Sequence, residues 1–119
     1  MNDPLPNLYR DALEWVDGCH GGVGHVGVFR PFSRGVDDDR RVDFIDLAVV
    51  PPGCEIGRHR HRDDEECYVI LRGTASMYLD GRTFRVGAGD IVRNRPFGEH
   101  GLINDSEDDV HLFVFQTSR

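Results

Sequence analysis

No apolar run in this chain approaches the roughly 20 residues that a membrane-spanning helix needs, so no membrane span is expected. No internal repeat and no low-complexity segment interrupts the 119 residues, which suffice for one domain around one core. Cysteine is scarce. Cys19, Cys54 and Cys67 are odd in number and far apart, so sequence neighbours build neither a disulfide framework nor a Cys-x-x-Cys metal site. Positive charge is also short. A formal net charge of −7 argues against a nucleic-acid-binding surface, because phosphate contacts need clustered basic side chains. Met1-Asn2-Asp3-Pro4 lacks the basic start and apolar stretch of a secretory signal, and a cytoplasmic location is the expectation. What is present is ordinary for a globular protein: 39% hydrophobic and 29% charged residues. The arginines do cluster at Arg58, Arg60 and Arg62. They alternate with histidines there, which reads as a solvated strand face paired with Asp63, Asp64 or Glu65.

Along the chain, residues 7–17 fit a short amphipathic helix with Leu8, Ala12 and Trp15 on one face and Gly18 as its stop. Gly21-Gly22-Val23-Gly24 reads as a connector. Strand-like runs follow at residues 26–29, 42–50, 66–71, 75–79, 83–86, 91–93 and 110–116. They are separated by a charged loop at 37–41, by Pro51-Pro52-Gly53, by the tight-turn dipeptide Asp80-Gly81 and by Gly87-Ala88-Gly89-Asp90. With the hairpin around residues 53–66, about eight short strands and little helix predict an all-β sandwich, barrel or jelly roll. Residues 1–24 are expected to form an N-terminal helix or extension, and residues 25–119 the barrel domain.

The chemistry concentrates in one stretch. Side chains alternate faces along a strand, so His59 and His61 point the same way. A turn follows, and Glu66 returns a carboxylate. His100, just past another strand-like run, is a fourth candidate. Three imidazoles and one carboxylate suit one divalent transition metal per chain: Fe, Mn, Co, Ni, Cu or Zn. Four protein ligands leave about one or two positions free on a metal that accepts five or six, where water or a small substrate would bind.

These residues resemble the two motifs of the cupin superfamily. The first is Gly-x5-His-x-His-x3-4-Glu-x6-Gly, and Gly53, His59, His61, Glu66 and Gly73 match it completely. The Glu-x6-Gly count selects Glu66 over its neighbour Glu65. The second motif is Gly-x5-Pro-x-Gly-x2-His-x3-Asn. Gly89, Pro96, Gly98, His100 and Asn104 follow it, with the proline and second glycine displaced by one residue. The resemblance implies a double-stranded β-helix, a jelly-roll barrel that holds a metal inside and often assembles as a dimer. It implies no single reaction. A metal-dependent enzyme acting on a small molecule is the expectation, of oxygenase, isomerase or epimerase, decarboxylase, or cyclase or lyase type. A non-catalytic metal- or ligand-binding module is the alternative. A homodimer is expected, with residues 26–29 adding to a neighbour's sheet.

Alternation extends the reading to the surroundings. Tyr68 and Ile70 share the metal-facing side with Glu66, while Cys67, Val69 and Leu71 face away into packing. Tyr68 is the candidate catalytic side chain, as a hydrogen-bond donor to bound substrate; its other role is core packing. Met77 and Leu79 are expected to line the cavity with Ile70. Asp46 reads as an edge-exposed residue; turned inward it would be a partner to the ligands or a general base. Arg93 and Arg95 approach the site in sequence and could hold a carboxylate or phosphate, with one or neither facing inward. His20, His25 and His111 read as surface or strand residues, and Gly101 and Asn104 as shaping a turn after His100.

Overall fold

The computed structural model describes residues 5–35 and 41–118. All but the last residue of the loop expected at 37–41 therefore lies outside the described residues. Among the described residues ten strands run in order: β1 (Glu14–Asp17), β2 (His25–Ser33), β3 (Val42–Val50), β4 (Glu55–Arg60), β5 (Asp64–Arg72), β6 (Thr74–Leu79), β7 (Arg82–Gly87), β8 (Ile91–Asn94), β9 (Glu99–Ile103) and β10 (Val110–Ser118). They form a six-stranded sheet, β1-β2-β3-β10-β5-β8, and a four-stranded sheet, β4-β9-β6-β7. Every pairing between these strands is antiparallel. This is the all-β jelly roll that the turn spacing predicts.

Alternation along the strands builds the core. Ala48 and Val50 on β3, Tyr68 and Ile70 on β5, and Val110, Leu112 and Val114 on β10 turn inward from the large sheet. Ile56, Ala75, Met77, Val86 and Leu102 meet them from the small sheet. Burying each branched side chain contributes about 1.5–3 kcal/mol against the entropy of ordering the chain. The intervening residues of β5 and β10 face the other way, so Cys67, which is buried, and Phe115 sit opposite each other on the far face of the large sheet.

The helix expected at 7–17 is not formed. One turn closes, with the Asp11 amide donating to the Asn7 carbonyl at 2.9 Å. The Asp11 carboxylate in return accepts from the Asn7 amide at 2.8 Å. The chain then extends into β1 and pairs with β2, Trp15 lying opposite Gly27. A helix of about three turns is marginal without tertiary support, whereas β1 satisfies the exposed edge of β2. Gly27 has a steric reason: a Cβ there would come within 3.0 Å of the Trp15 ring. Residues 26–29, expected to extend a neighbour's sheet, pair with β3 of their own chain through residue 29.

Candidate metal centre

The two sheets each supply part of the site. His59 on β4 lies directly opposite His100 on β9, in the small sheet. Glu66 comes from β5 in the large sheet. His61 stands just past the end of β4, where its amide donates to the Gly98 carbonyl at 2.9 Å. One ligand-type atom from each of His59, His61, Glu66 and His100 lies within 4.8 Å of all the others. His100 Nε2 is 3.1 Å from both His59 Nε2 and His61 Nε2. Glu66 Oε1 is 2.9 Å from His100 Nε2 and 3.3 Å from His61 Nε2.

The outer ring atoms fix what the inner ones can do. His59 Nδ1 contacts the Gly57 carbonyl at 2.7 Å, and a carbonyl only accepts, so Nδ1 carries the proton. His61 Nδ1 faces the Asp64 carboxylate at 2.5 Å, with the same consequence. When neutral, both rings therefore aim bare Nε2 lone pairs at one point. A carboxylate and a third ring nitrogen share that point. Crowded acceptors of this kind are what a divalent cation satisfies, and carbonyl or carboxylate partners on the far nitrogen are the usual support for a ligating histidine. The donor set thus fits a metal ion. His100 Nδ1, fully buried, has no such partner among the described residues.

Charge follows the same geometry. Burial holds the His59 pKa down to about 4, against the pull of the Gly57 carbonyl. His61 goes the other way: its bond with Glu66 raises it against burial, and Asp64 adds to the rise. Burial alone would raise Glu66, but bonds from His100 and His61 outweigh it and bring the carboxyl to about 2. Glu66 is therefore an anion throughout the physiological range. Glu65 instead pairs with Arg93 at 2.9 Å, outside the cluster.

Beside the cluster opens a cavity of about 210 Å³, bounded by His61, Glu66 and Tyr68 on the metal side. Tyr68 is buried, with its ring 4.7 Å from the His100 ring. Burial raises its phenol well above the usual range. The apolar wall comes from Val26, Val28, Phe44 and Val114. Ile70, Met77 and Leu79, expected to line the cavity, belong to the packed core instead.

Two other expectations, for Asp46 and Gly101, need correction. Asp46 is not edge-exposed. It is buried, lines the cavity and accepts from Arg30 through both oxygens, at 2.6 and 2.9 Å. Arg93 and Arg95 are both exposed and neither lines the cavity. Gly101 does not shape a turn. It lies within β9, where a Cβ would come 3.0 Å from the Arg58 amide across the bulge in β4. Asn104 is buried, and its side chain donates to the Val50 and Asp108 carbonyls at 2.8 Å each. The displaced second motif has a visible cost: Phe97 takes φ 62, a left-handed conformation that favours glycine. Arg58, Arg60 and Arg62 are exposed, and Arg58 lies over the Tyr78 ring at 3.8 Å.

The sequence reading missed the strap formed by residues 18–24. His20 is exposed, as expected, yet its ring stacks on His59 with centroids 3.7 Å apart and 13° between planes. Its carbonyl presses on β4 so closely that a Cβ at Gly57 would come within 2.1 Å of it. Only a glycine inside a strand, where one weakens pairing, hinted at this close approach. Gly57→Ala is expected to cost about 1–3 kcal/mol through this clash. That lowers Tm by roughly 5–10 °C, and a melt matching the parent protein would show that the strap does not seat there.

Three comparisons bear on these residues. The cupin domain family matches residues 46–115. An oxalate-binding protein of Thermotoga maritima is 26% identical over 101 residues, 85% of this chain and 83% of that one. An uncharacterized protein of Methanocaldococcus jannaschii is 39% identical over 57 residues, which span 48% of this chain and 46% of that protein. Among solved structures, a predicted oxalate decarboxylase from Thermotoga maritima superposes with a TM-score of 0.90 at 21% identity, covering 98% of this chain and all of that one. At this identity the likeness speaks for the fold.

Proposed function

The chain belongs to the cupin domain family, and from that premise we propose that it is a metal-dependent enzyme acting on a small organic molecule at a centre formed by His59, His61, Glu66 and His100. The observation that carries this reading is the convergence of imidazole nitrogens and one anionic carboxylate beside a cavity of about 210 Å³. Fe, Mn, Co, Ni, Cu and Zn all accept such ligands. The bound metal would supply Lewis acidity or redox chemistry. The oxalate-binding relative supports a small carboxylic acid as the ligand class.

This chain's own residues would then orient and protonate. Tyr68 stays a phenol at neutral pH because burial disfavours its anion. Its hydroxyl makes no hydrogen bond among the described residues and lines the cavity, so we assign it as a donor to bound substrate. Tyr68→Phe is expected to lower turnover by about 10- to 100-fold at unchanged metal content. Metal analysis of the freshly purified protein, followed by product analysis with oxalate and related acids, tests the whole reading. A chain that holds no divalent metal after reconstitution would sink it. Binding of oxalate without any product, under aerobic and anaerobic conditions, would favour the second reading, a non-catalytic binding module.

The proposal includes a cytoplasmic homodimer with no nucleic-acid partner. Among the described residues no helix is long and apolar enough to cross a membrane. Ile91, 69% exposed, and Phe32, 57% exposed, leave apolar surface on the large sheet that a second copy would cover. Sedimentation at micromolar concentration should give twice the 13.5 kDa chain mass, and a monomer rejects the dimer.

A further inference from the structure

Among the described residues, Arg30 is the single lysine or arginine that lines the cavity beside the metal cluster. It projects from β2, next to the irregularity between Phe29 and Phe32 in the pairing with β3. Asp46 on β3 grips its Nε at 2.6 Å and its Nη2 at 2.9 Å. Phe44, also on β3, lies under the guanidinium, 4.0 Å from its carbon. Carboxylate and ring together fix the guanidinium plane. An arginine carries five N–H donors, and Asp46 takes those of Nε and one on Nη2. The rest meet no protein acceptor among the described residues. The Arg30 side chain is 49% exposed, whereas that of Asp46 is 12% exposed. The buried partner is thus the holder, and the open partner presents its free edge. A half-exposed ion pair adds little to stability, so stability alone does not explain an aspartate buried against the wall of this cavity.

We propose that Arg30, positioned by Asp46 and Phe44, is the carboxylate-recognising arm of this site, and that its ligand is a small dicarboxylic acid bound at one end by the metal and at the other by Arg30. This rests on the metal reading above. The planar guanidinium edge matches a carboxylate in two parallel hydrogen bonds, which a lysine cannot reproduce. The cavity has room for a small acid. At about 30 Å³ per water in the liquid, its volume of about 210 Å³ corresponds to about seven waters, the scale of an acid with two carboxylates and few carbons between them.

The test uses the full chain, reconstituted with Mn2+, desalted and titrated by calorimetry with oxalate, malonate and acetate. Metal content is measured separately. Arg30→Met together with Asp46→Asn removes the arm without leaving a buried carboxylate unpaired. This double variant is expected to keep its metal and to bind the dicarboxylates at least about 30-fold more weakly, while acetate changes less than about threefold. Arg30→Lys keeps the charge and loses the fork, so about tenfold weakening is expected. It carries the test by itself if the double variant does not fold. The proposal is overturned if the double variant, or Arg30→Lys in its place, binds dicarboxylates as the parent does. It is equally overturned if the parent binds them no more tightly than acetate. A parent chain that holds no metal defeats the reading beneath it. The arm is then judged by dicarboxylate-induced thermal shifts: a shift lost in the variant supports it, and an equal shift or none overturns it.

Discussion

Replacing His100 by alanine is expected to strip the protein of divalent metal and to unfold it at a lower temperature. His100 is fully buried and meets His59, His61 and Glu66 at once. Losing a partner behind a ligand typically weakens metal binding about 10- to 100-fold; removal of a ligand itself should exceed about 100-fold. The vacated ring also leaves a void beside Tyr68, and large-to-small changes at such sites cost about 2–4 kcal/mol. His59→Ala and His61→Ala remove a ligand from less buried positions, so metal content should fall with a smaller change in Tm. Glu66→Gln keeps the shape and removes the negative charge, giving weaker binding and lower turnover at whatever metal remains. His25→Ala, on the exposed start of β2, is the control and should keep full occupancy. Elemental analysis after dialysis against a weak chelator reads all five proteins. Full metal content in both His59→Ala and His61→Ala would remove the assignment. Chelation of the parent protein should lower its Tm as well, because a ligand that binds only the native state stabilises it by mass action.

Much of this architecture can be read in the sequence because it is governed by local rules. Alternation puts Glu66, Tyr68 and Ile70 on one side of β5 and Cys67 on the other. Turn residues at Pro51-Pro52-Gly53 and Asp80-Gly81 fall between strands. The spacing of the two motifs likewise anticipates that His59, His61, Glu66 and His100 meet. What local rules miss depends on partners far along the chain. The amphipathic pattern at 7–17 gives way to β1 because β2 offers backbone groups that the helix would leave unpaired. Asp46 reads as an edge residue until Arg30, 16 positions earlier, is placed beside it. His20 lies 39 positions before His59 and stacks on it only because Gly22 and Gly57 let two backbones touch. Arg93 and Arg95 are nearer the motifs in sequence than Arg30, yet they lie outside the cavity that Arg30 enters. Sequence proximity to a motif is a poor guide on a strand, because half the side chains face away.

Acidification is expected to release the metal, and the release should steepen as successive ligands take up protons. A histidine must shed its proton to ligate, so protons and metal compete. His61 stands above its ordinary value of 6.5, chiefly through its bond with Glu66, and is the first to take up a proton as pH falls. Below its pKa, apparent metal affinity should drop by at least about tenfold per pH unit, because its proton must leave when the metal binds. His59, held to about 4 by burial, stays an open lone pair through that range. Only below about pH 4 does His59 add its own competing proton, and the slope should steepen further there. Glu66, near 2, contributes nothing above that region. The metal-free protein should respond differently. His59 is depressed in the folded state, so its contribution to stability is present above 6.5 and lost as pH falls from 6.5 towards 4. Glu66 follows, its contribution lost between 4.5 and about 2. His61 has the opposite sign: it stabilises the fold fully below 6.5 and loses that effect as pH rises through its raised pKa. Tm of the chelated protein should therefore decline on the alkaline side of His61 and again in acid, whereas the metal-loaded protein, with His61 unable to protonate, should show no alkaline decline. Metal titrations and thermal melts from pH 4 to 9, with and without chelator, read both behaviours. Identical pH profiles for the two forms would mean that His61 does not face the metal.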